Sequence, residues 1–113
     1  MSATMDQLEA RLARQLDALQ SANERLAAIT VTETSPDGEV TATVSGTGAL
    51  TDLAFSDGVR RLKGSALSTL VVATAQVACQ KALARRARIM QDFNEEFADL
   101  VSPPADDGAV QGD

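Results

Sequence analysis

Apolar residues in the first quarter of the chain recur at the spacing of an α-helix. Up to residue 19 they follow one another every three or four positions, and charged residues fill the other faces. The pattern predicts a helix over residues 5–28. Its apolar stripe consists of Met5, Leu8, Leu12, Leu16, Leu19 and Leu26. The stripe either packs on the chain's own sheet or pairs with a helix of a second chain, where Asn23 in its gap could set the register.

Three later segments, residues 29–34, 40–44 and 50–55, alternate between apolar and polar positions as half-buried strands do. Ser35-Pro36-Asp37-Gly38 predicts a tight turn, because Pro presets φ and Gly accepts a positive φ. Gly46-Thr47-Gly48 predicts a second turn or a bulge. The result is a three-stranded antiparallel meander with one apolar face. That face consists of Ile29, Val31, Val40, Ala42, Val44, Leu53 and Phe55.

A second helix is predicted over residues 65–100, with residues 59–62 as a connector and Ser65 as the N-cap. No Gly or Pro interrupts it. The predicted fold class is therefore α+β, with the order α-β-β-β-α and two long helices flanking the sheet. Residues 1–101 are expected to form a single domain, and residues 102–113, rich in Pro, small residues and acids, a disordered acidic tail.

Helix length predicts a homodimer. Helices of 24 and 36 residues span about 36 and 54 Å, whereas six-residue strands span only about 20 Å. The overrun of the second helix would expose apolar side chains on a monomer, and a two-fold dimer would cover them. The residues predicted at the dimer interface are Leu12, Leu16, Leu19, Ile89, Met90, Phe93 and Phe97.

Charge is strongly segregated along a chain whose net charge is −6. Residues 58–91 contain seven bases and no acid, and residues 92–113 contain seven acids and no base. The bases are candidates for sequence-independent contact with nucleic acid: Arg60, Arg61, Lys63, Lys81, Arg85, Arg86 and Arg88. Alternatively, they form a solvated helix face in which Arg88 pairs with Asp92, Glu95 or Glu96.

The chemistry needed for catalysis is missing from the sequence. The chain has no His and a single Cys, so neither a His-based triad nor a zinc site can be assembled. Cys79 is expected to be a buried, inert thiol. We therefore expect neither an enzyme nor a protein with a metal or cofactor. Residues 64–80 form the longest nearly uncharged stretch, and their Ser, Thr and Gln content predicts no membrane span.

The order of these elements resembles the YbaB/EbfC family of bacterial nucleoid-associated proteins. The resemblance rests on residues 29–32, the turn at 36–38, and residues 40–46 and 50–55, between a Gln- and Leu-rich helix and a long Ala-rich helix. It extends roughly over residues 5–97. It implies an α-β-β-β-α protomer, a tweezer-like homodimer, and binding of double-stranded DNA with little sequence preference.

Two functions follow from these observations. The first is a cytoplasmic, nucleoid-associated homodimer that binds DNA through the basic residues and affects nucleoid organisation or gene expression. The second is an adaptor or chaperone-like dimer that binds another protein. The Ala- and Arg-rich, Lys-poor composition favours the actinobacterial members of the family, some of which accompany type VII secretion genes, and this association supports the second function.

Overall fold

The computed structural model describes residues 2–101, and the elements follow the predicted order. They are helix α1 (Ser2–Ala27), strands β1 (Thr30–Thr34), β2 (Val40–Ser45) and β3 (Leu50–Phe55), a 3₁₀ helix (Asp57–Arg61) and helix α2 (Gly64–Val101). The predicted α-β-β-β-α fold is confirmed. The predicted acidic tail, residues 102–113, lies outside the described residues.

Helix α2 starts one residue earlier than predicted, and its N-cap lies two residues earlier. The Leu67 N–H donates to the Lys63 carbonyl at 2.9 Å, so Lys63 rather than Ser65 supplies the first helical acceptor. Ser65 lies inside the first turn, where its carbonyl accepts the Thr69 hydroxyl at 3.0 Å. The predicted connector is the 3₁₀ helix, which begins where the Ser56 hydroxyl accepts the Gly58 N–H.

Both predicted turns are confirmed, and each closes on a glycine with positive φ. Gly38, with φ +82°, donates to the Ser35 carbonyl at 2.9 Å, and Gly48, with φ +86°, donates to the Ser45 carbonyl at 2.9 Å. A side chain would strain the backbone at either position. The turns join neighbouring antiparallel strands, giving the strand order β1-β2-β3.

A β-bulge at Thr51 changes which side chains β3 presents to the core side of the sheet. Asp52 pairs with Thr43, whereas Leu50 pairs with the next residue, Val44, so Thr51 has no partner in the register. Directly paired residues point to the same face, and Val44 is buried. The bulge therefore places Leu50 on the same face as Leu53, although an unbroken alternation would separate them.

The core lies where α2 crosses β2 and β1. Ala78 and Ala82 have no exposed surface, and their small side chains allow the helix to approach Val31 and Val44 closely. Nine apolar residues of the described chain are buried, and five of them are alanine. β3 lies beside this contact, and Phe55, a predicted core residue, remains 50% exposed because α2 does not cover the outer strand.

Helix α1 packs against the C-terminal half of α2, and of its stripe only Leu26 contacts the core on the sheet, so packing of the whole stripe on the sheet is wrong. Ala18 and Ala22 are buried in this contact, and Arg25 forms an ion pair with Asp92 of α2 at 3.2 Å. Asn23 is exposed. The exposed residues of the stripe are Met5, Leu8, Leu12, Leu16 and Leu19, with exposed fractions of 45–60%.

By length and composition, α2 could cross a membrane, because an 18-residue window within Gly64–Asp99 reaches a mean hydropathy of 1.2. The stretch 64–80 considered above is shorter than this helix. A helix that packs on a sheet in a soluble protein has the same properties, and here Ala78 and Ala82 are buried against strands. Only 17% of the window is buried within the protomer. The remaining residues of the window, apolar and polar, lie at the surface of the protomer.

Candidate nucleic-acid interface

Three of the predicted basic residues form one cluster on the flank of α2 beside β1. Lys81, Arg85 and Arg88 line the same shallow surface depression together with Ala84. Their spacing of four and three residues places them on one helix face, as predicted. We call these three residues the basic cluster. It spans about 10 Å along the helix axis, at ~1.5 Å per residue.

Two members of the basic cluster are held against β1. The Lys81 ammonium lies 2.7 Å from the Glu33 carboxylate, and Arg85 Nη1 donates to the Thr30 carbonyl at 3.0 Å. Both basic side chains remain exposed at the surface. A guanidinium carries five N–H donors, so Arg85 retains donors for a phosphate after the contact with Thr30. These bonds orient the cluster and fix β1 beside the helix.

Arg88 and Arg86 differ in position although both are exposed. Among residues 2–101, Arg88 forms no ion pair, and two of its three predicted acidic partners are engaged elsewhere. Asp92 pairs with Arg25, and Glu95 accepts from Gln91 at 3.4 Å.

Arg86 follows Arg85 by one residue, which is about 100° around the helix. It therefore lies on the other flank of α2, away from the basic cluster.

The remaining predicted bases lie at the opposite end of the sheet. Arg60 and Arg61 belong to the 3₁₀ helix, and Lys63 directly precedes α2, about 27 Å along the helix axis from Lys81. The backbone here is joined to the β1–β2 turn, because the Ser56 N–H donates to the Glu39 carbonyl at 2.9 Å. The nearby acids Asp37, Glu39 and Asp57 lower the positive potential at this end.

Glu33 is a charged residue of this surface that the sequence analysis missed. It belongs to the same strand face as the buried Val31, because side chains alternate along β1. The sequence did contain a signal for Glu33, because an acid at this position interrupts the alternation of apolar residues along the strand. Its partner, Lys81, lies 48 residues away in the chain, and pattern alone gave no means of pairing them.

The flank of α2 opposite the basic cluster is exposed and apolar except for Arg86, which lies between Leu83 and Met90. Val72, Leu83 and Met90 recur at intervals of eleven and seven residues, so they line one side of the helix, and they are 55%, 47% and 37% exposed. Cys79 lies on this side, with its sulfur next to Gly48 in the β2–β3 turn. It is half-buried, whereas the sequence predicted a buried thiol. This flank is therefore the one beside β3.

The predicted interface residues of the two helices have different surroundings. Leu12, Leu16 and Leu19 are exposed, whereas Ile89 is half-buried against the protomer's own core. Two others, Phe93 and Phe97, are half-buried, and their ring centroids lie 5.2 Å apart. Helix α1 thus covers part of the segment of α2 that extends beyond the sheet, which was expected to be exposed.

Among residues 2–101, no group of three His, Cys, Asp or Glu side chains could hold a metal ion. Cys79 is the one thiol in this part of the chain, and it is free. The features that remain are the basic cluster and the apolar flank.

Comparison with known proteins gives a family and a fold. Residues 1–97 match the YbaB/EbfC DNA-binding family. Among solved structures, the chain is similar to the uncharacterized protein HP0035 from Helicobacter pylori, with 18% sequence identity and a TM-score of 0.59. The similarity covers 75% of this chain and 90% of that chain, and at this identity it shows a shared fold. No curated protein matches the chain.

Proposed function

Since the chain belongs to the YbaB/EbfC DNA-binding family, we propose that it binds the backbone of double-stranded DNA as a homodimer, with little sequence preference. The protein would act in the cytoplasm at the nucleoid, where such binding affects nucleoid organisation or gene expression. The observation that carries the proposal is the basic cluster, in which Lys81, Arg85 and Arg88 share one exposed face on a chain of net charge −6.

The chemistry of the basic cluster suits contact with DNA phosphates rather than with nucleobases. Its three cations are aligned along one helix flank, and Lys and Arg bind phosphate oxygens without regard to sequence. Contacts of this kind release counterions, so affinity falls steeply as salt rises. Arg60, Arg61, Lys63 and Arg86 are proposed as secondary contacts, because they lie apart from the cluster and acids surround the first three.

The thin core of the protomer supports a dimer. The largest fully buried side chains are Val40 and Val44, whereas eleven large apolar side chains of the described chain are exposed. The protomer measures 74 × 31 × 16 Å, and 16 Å is the thickness of a helix layer on a single sheet. A second copy would add the layer that covers these side chains, as two-fold homodimers do.

Ten of the eleven exposed large apolar side chains of the described residues share one side of the protomer, which supports a single interface; Val77, one helical turn before Lys81, lies on the other flank of α2. On β3 these are Leu50 and Phe55, and on α2 they are Val72, Leu83 and Met90. Helical geometry directs the α1 stripe to the same side, since α1 runs antiparallel to α2 and its Arg25–Asp92 ion pair lies on the opposite flank. The proposed interface combines these residues with Leu12, Leu16, Leu19, Ile89, Phe93 and Phe97. It leaves the basic cluster of each protomer facing outward.

Fluorescence anisotropy of two labelled duplexes of unrelated sequence tests DNA binding. We expect similar affinities for both duplexes and a loss of roughly 10³-fold or more between about 50 and 200 mM salt if the dimer makes six or more phosphate contacts. The double variant Arg85→Ala, Arg88→Ala should bind more weakly and flatten the logarithmic salt slope by about 0.9 per lost contact. Arg86→Ala and the pair Arg60→Ala, Arg61→Ala should each have a smaller effect.

The matched control is Arg11→Ala, Arg14→Ala on α1, which removes two positive charges away from the basic cluster. An equal loss of affinity in this control would mean that binding follows total charge and not the cluster. If the unaltered protein gives no anisotropy change with micromolar protein at about 50 mM salt, DNA binding is wrong. The adaptor function, with another protein as the partner, would then be the hypothesis to pursue.

A further inference from the structure

Glu33 occupies a position that the alternation of β1 assigns to an apolar residue. Val31 and Glu33 share the strand face that packs towards α2, while the threonines between and beside them point to the other face. The Glu33 side chain is only 24% exposed. A carboxylate that loses this much hydration is stable only when a cation or hydrogen-bond donors compensate it.

The compensating cation belongs to the basic cluster. Lys81 Nζ lies 2.7 Å from Glu33 Oε1, a distance at which the two charges neutralise one another. Within residues 2–101, no other acid forms an ion pair with the cluster. Lys81 itself is 57% exposed, so its ammonium can still reach a ligand in solvent. One of the three cations that face outward is therefore already paired inside the protein.

We propose that Glu33 competes with DNA phosphates for Lys81 and so lowers the affinity of the protein for DNA, an inference that rests on the DNA-binding function proposed above. A phosphate that approaches Lys81 must displace the carboxylate, or else the cluster binds with Arg85 and Arg88 alone. In both cases fewer counterions are released on DNA binding than would be released by a cluster whose three cations were all unpaired. Glu33 thus sets the strength of binding without contacting DNA.

A purely structural role for the same ion pair predicts different behaviour. If Glu33 served only to fix β1 beside α2, removing its charge would change the stability of the protomer and leave DNA affinity unchanged. The pair is partly exposed, and such pairs contribute little to stability. Affinity and salt dependence are therefore the informative measurements, and thermal unfolding serves to show that each variant is folded.

The test compares Glu33→Gln with Glu9→Gln, which makes the same chemical change on α1, far from the basic cluster. We expect Glu33→Gln to bind a labelled duplex roughly three- to tenfold more tightly at about 0.1 M salt, with a logarithmic salt slope steeper by about 0.9 per protomer in contact. Glu9→Gln should change the affinity much less. In a Lys81→Ala background, adding Glu33→Gln should raise the affinity less, since the cation that it frees is gone and only the repulsion between the carboxylate and the phosphates is relieved.

The outcomes separate the two proposals. Absence of binding by the unaltered protein overturns the DNA-binding function itself. If the unaltered protein binds, equal effects of Glu33→Gln and Glu9→Gln overturn the role of Glu33, and so does a gain that is undiminished without Lys81. Weaker or unchanged binding by a folded Glu33→Gln variant overturns it as well.

Discussion

At Gly46 the chain after β2 closely approaches the end of α1. A Cβ atom at this position would lie 2.9 Å from the Leu26 carbonyl oxygen and 3.0 Å from the Ile29 Cβ. The pattern Gly46-Thr47-Gly48 predicted a turn, and the turn is there. The sequence could not show that Gly46 serves close packing whereas Gly48 serves the positive φ. The contact of Gly46 with Leu26 depends on how the end of α1 lies against the sheet.

Replacement of Gly46 by Ala should destabilise the protein. The added methyl group would meet the Leu26 carbonyl oxygen, a backbone atom that cannot move aside cheaply, as well as the Ile29 side chain. We expect a loss of about 1–3 kcal/mol in the free energy of unfolding. Chemical denaturation followed by circular dichroism measures this. The control is Gly64→Ala at the start of α2, where nothing lies within 4 Å of the new Cβ and stability should stay the same or rise slightly. Equal losses in both variants would contradict the proposed close approach.

Within the candidate site, spacing predicted which residues of α2 share a face and gave no information about their partners. Lys81, Arg85 and Arg88 lie together because residues three and four apart are neighbours on any helix. Glu33 and Thr30, which bind two of them, come from a strand that the fold brings alongside. The predicted pairing of Arg88 with Asp92 failed because α1 supplies a competing cation, Arg25.

At the scale of elements, the alanines of α2 determine how closely this helix packs on the sheet. Ala78 and Ala82 are fully buried against the strands, whereas Ala87 is exposed. The lengths of the strands and helices were predicted well, because periodicity is a local property. The sequence did not predict the bulge at Thr51 or the position of Leu50, since a bulge arises from the pairing between two strands.

Replacement of Ala78 by Leu should separate α2 from β2. Because no space exists around a side chain with 0% exposure, we expect a loss of about 1–3 kcal/mol in the free energy of unfolding. Urea denaturation would measure it, with Ala87→Leu as the exposed control expected to stay within about 0.5 kcal/mol of the unaltered protein. A neutral Ala78→Leu variant would show that the helix does not pack closely on the sheet.

At the scale of the whole molecule, the protomer is elongated and has two separate surfaces. The basic cluster lies on the β1 flank of α2, and the apolar side chains lie on the β3 flank. In the proposed function, one surface would be buried against a second copy while the other faces DNA. The match to the YbaB/EbfC DNA-binding family confirms the resemblance seen in the sequence.

The mass in solution should be about twice the chain mass of 11.8 kDa when measured by multi-angle light scattering. Leu83→Glu places a charge at the centre of the apolar flank and should shift the mass towards the monomer, because a charge buried at an interface without a partner is unfavourable. Gln80→Glu makes an equal change of charge on the solvent side and should remain dimeric. A monomeric unaltered protein at about 100 µM would overturn the homodimer.

The α1 stripe can be tested separately with Leu16→Glu. If the interface extends from β3 and α2 to α1, this variant should also dissociate at lower concentration than the unaltered protein, because Leu16 is one of the exposed leucines of the proposed interface. The measurement is the dissociation constant from sedimentation equilibrium. Unchanged dissociation would confine the interface to β3 and α2.

The sequence by itself determined the elements, their order, the turns and the alignment of Lys81, Arg85 and Arg88, because each of these depends on residues within a few positions of one another. The family followed from the same pattern. Tertiary structure decided which helix face meets the sheet, that α1 packs on α2, and that Glu33 holds Lys81. These outcomes depend on contacts between residues far apart in the chain, and side-chain volume and charge select among such contacts only once the chain is folded.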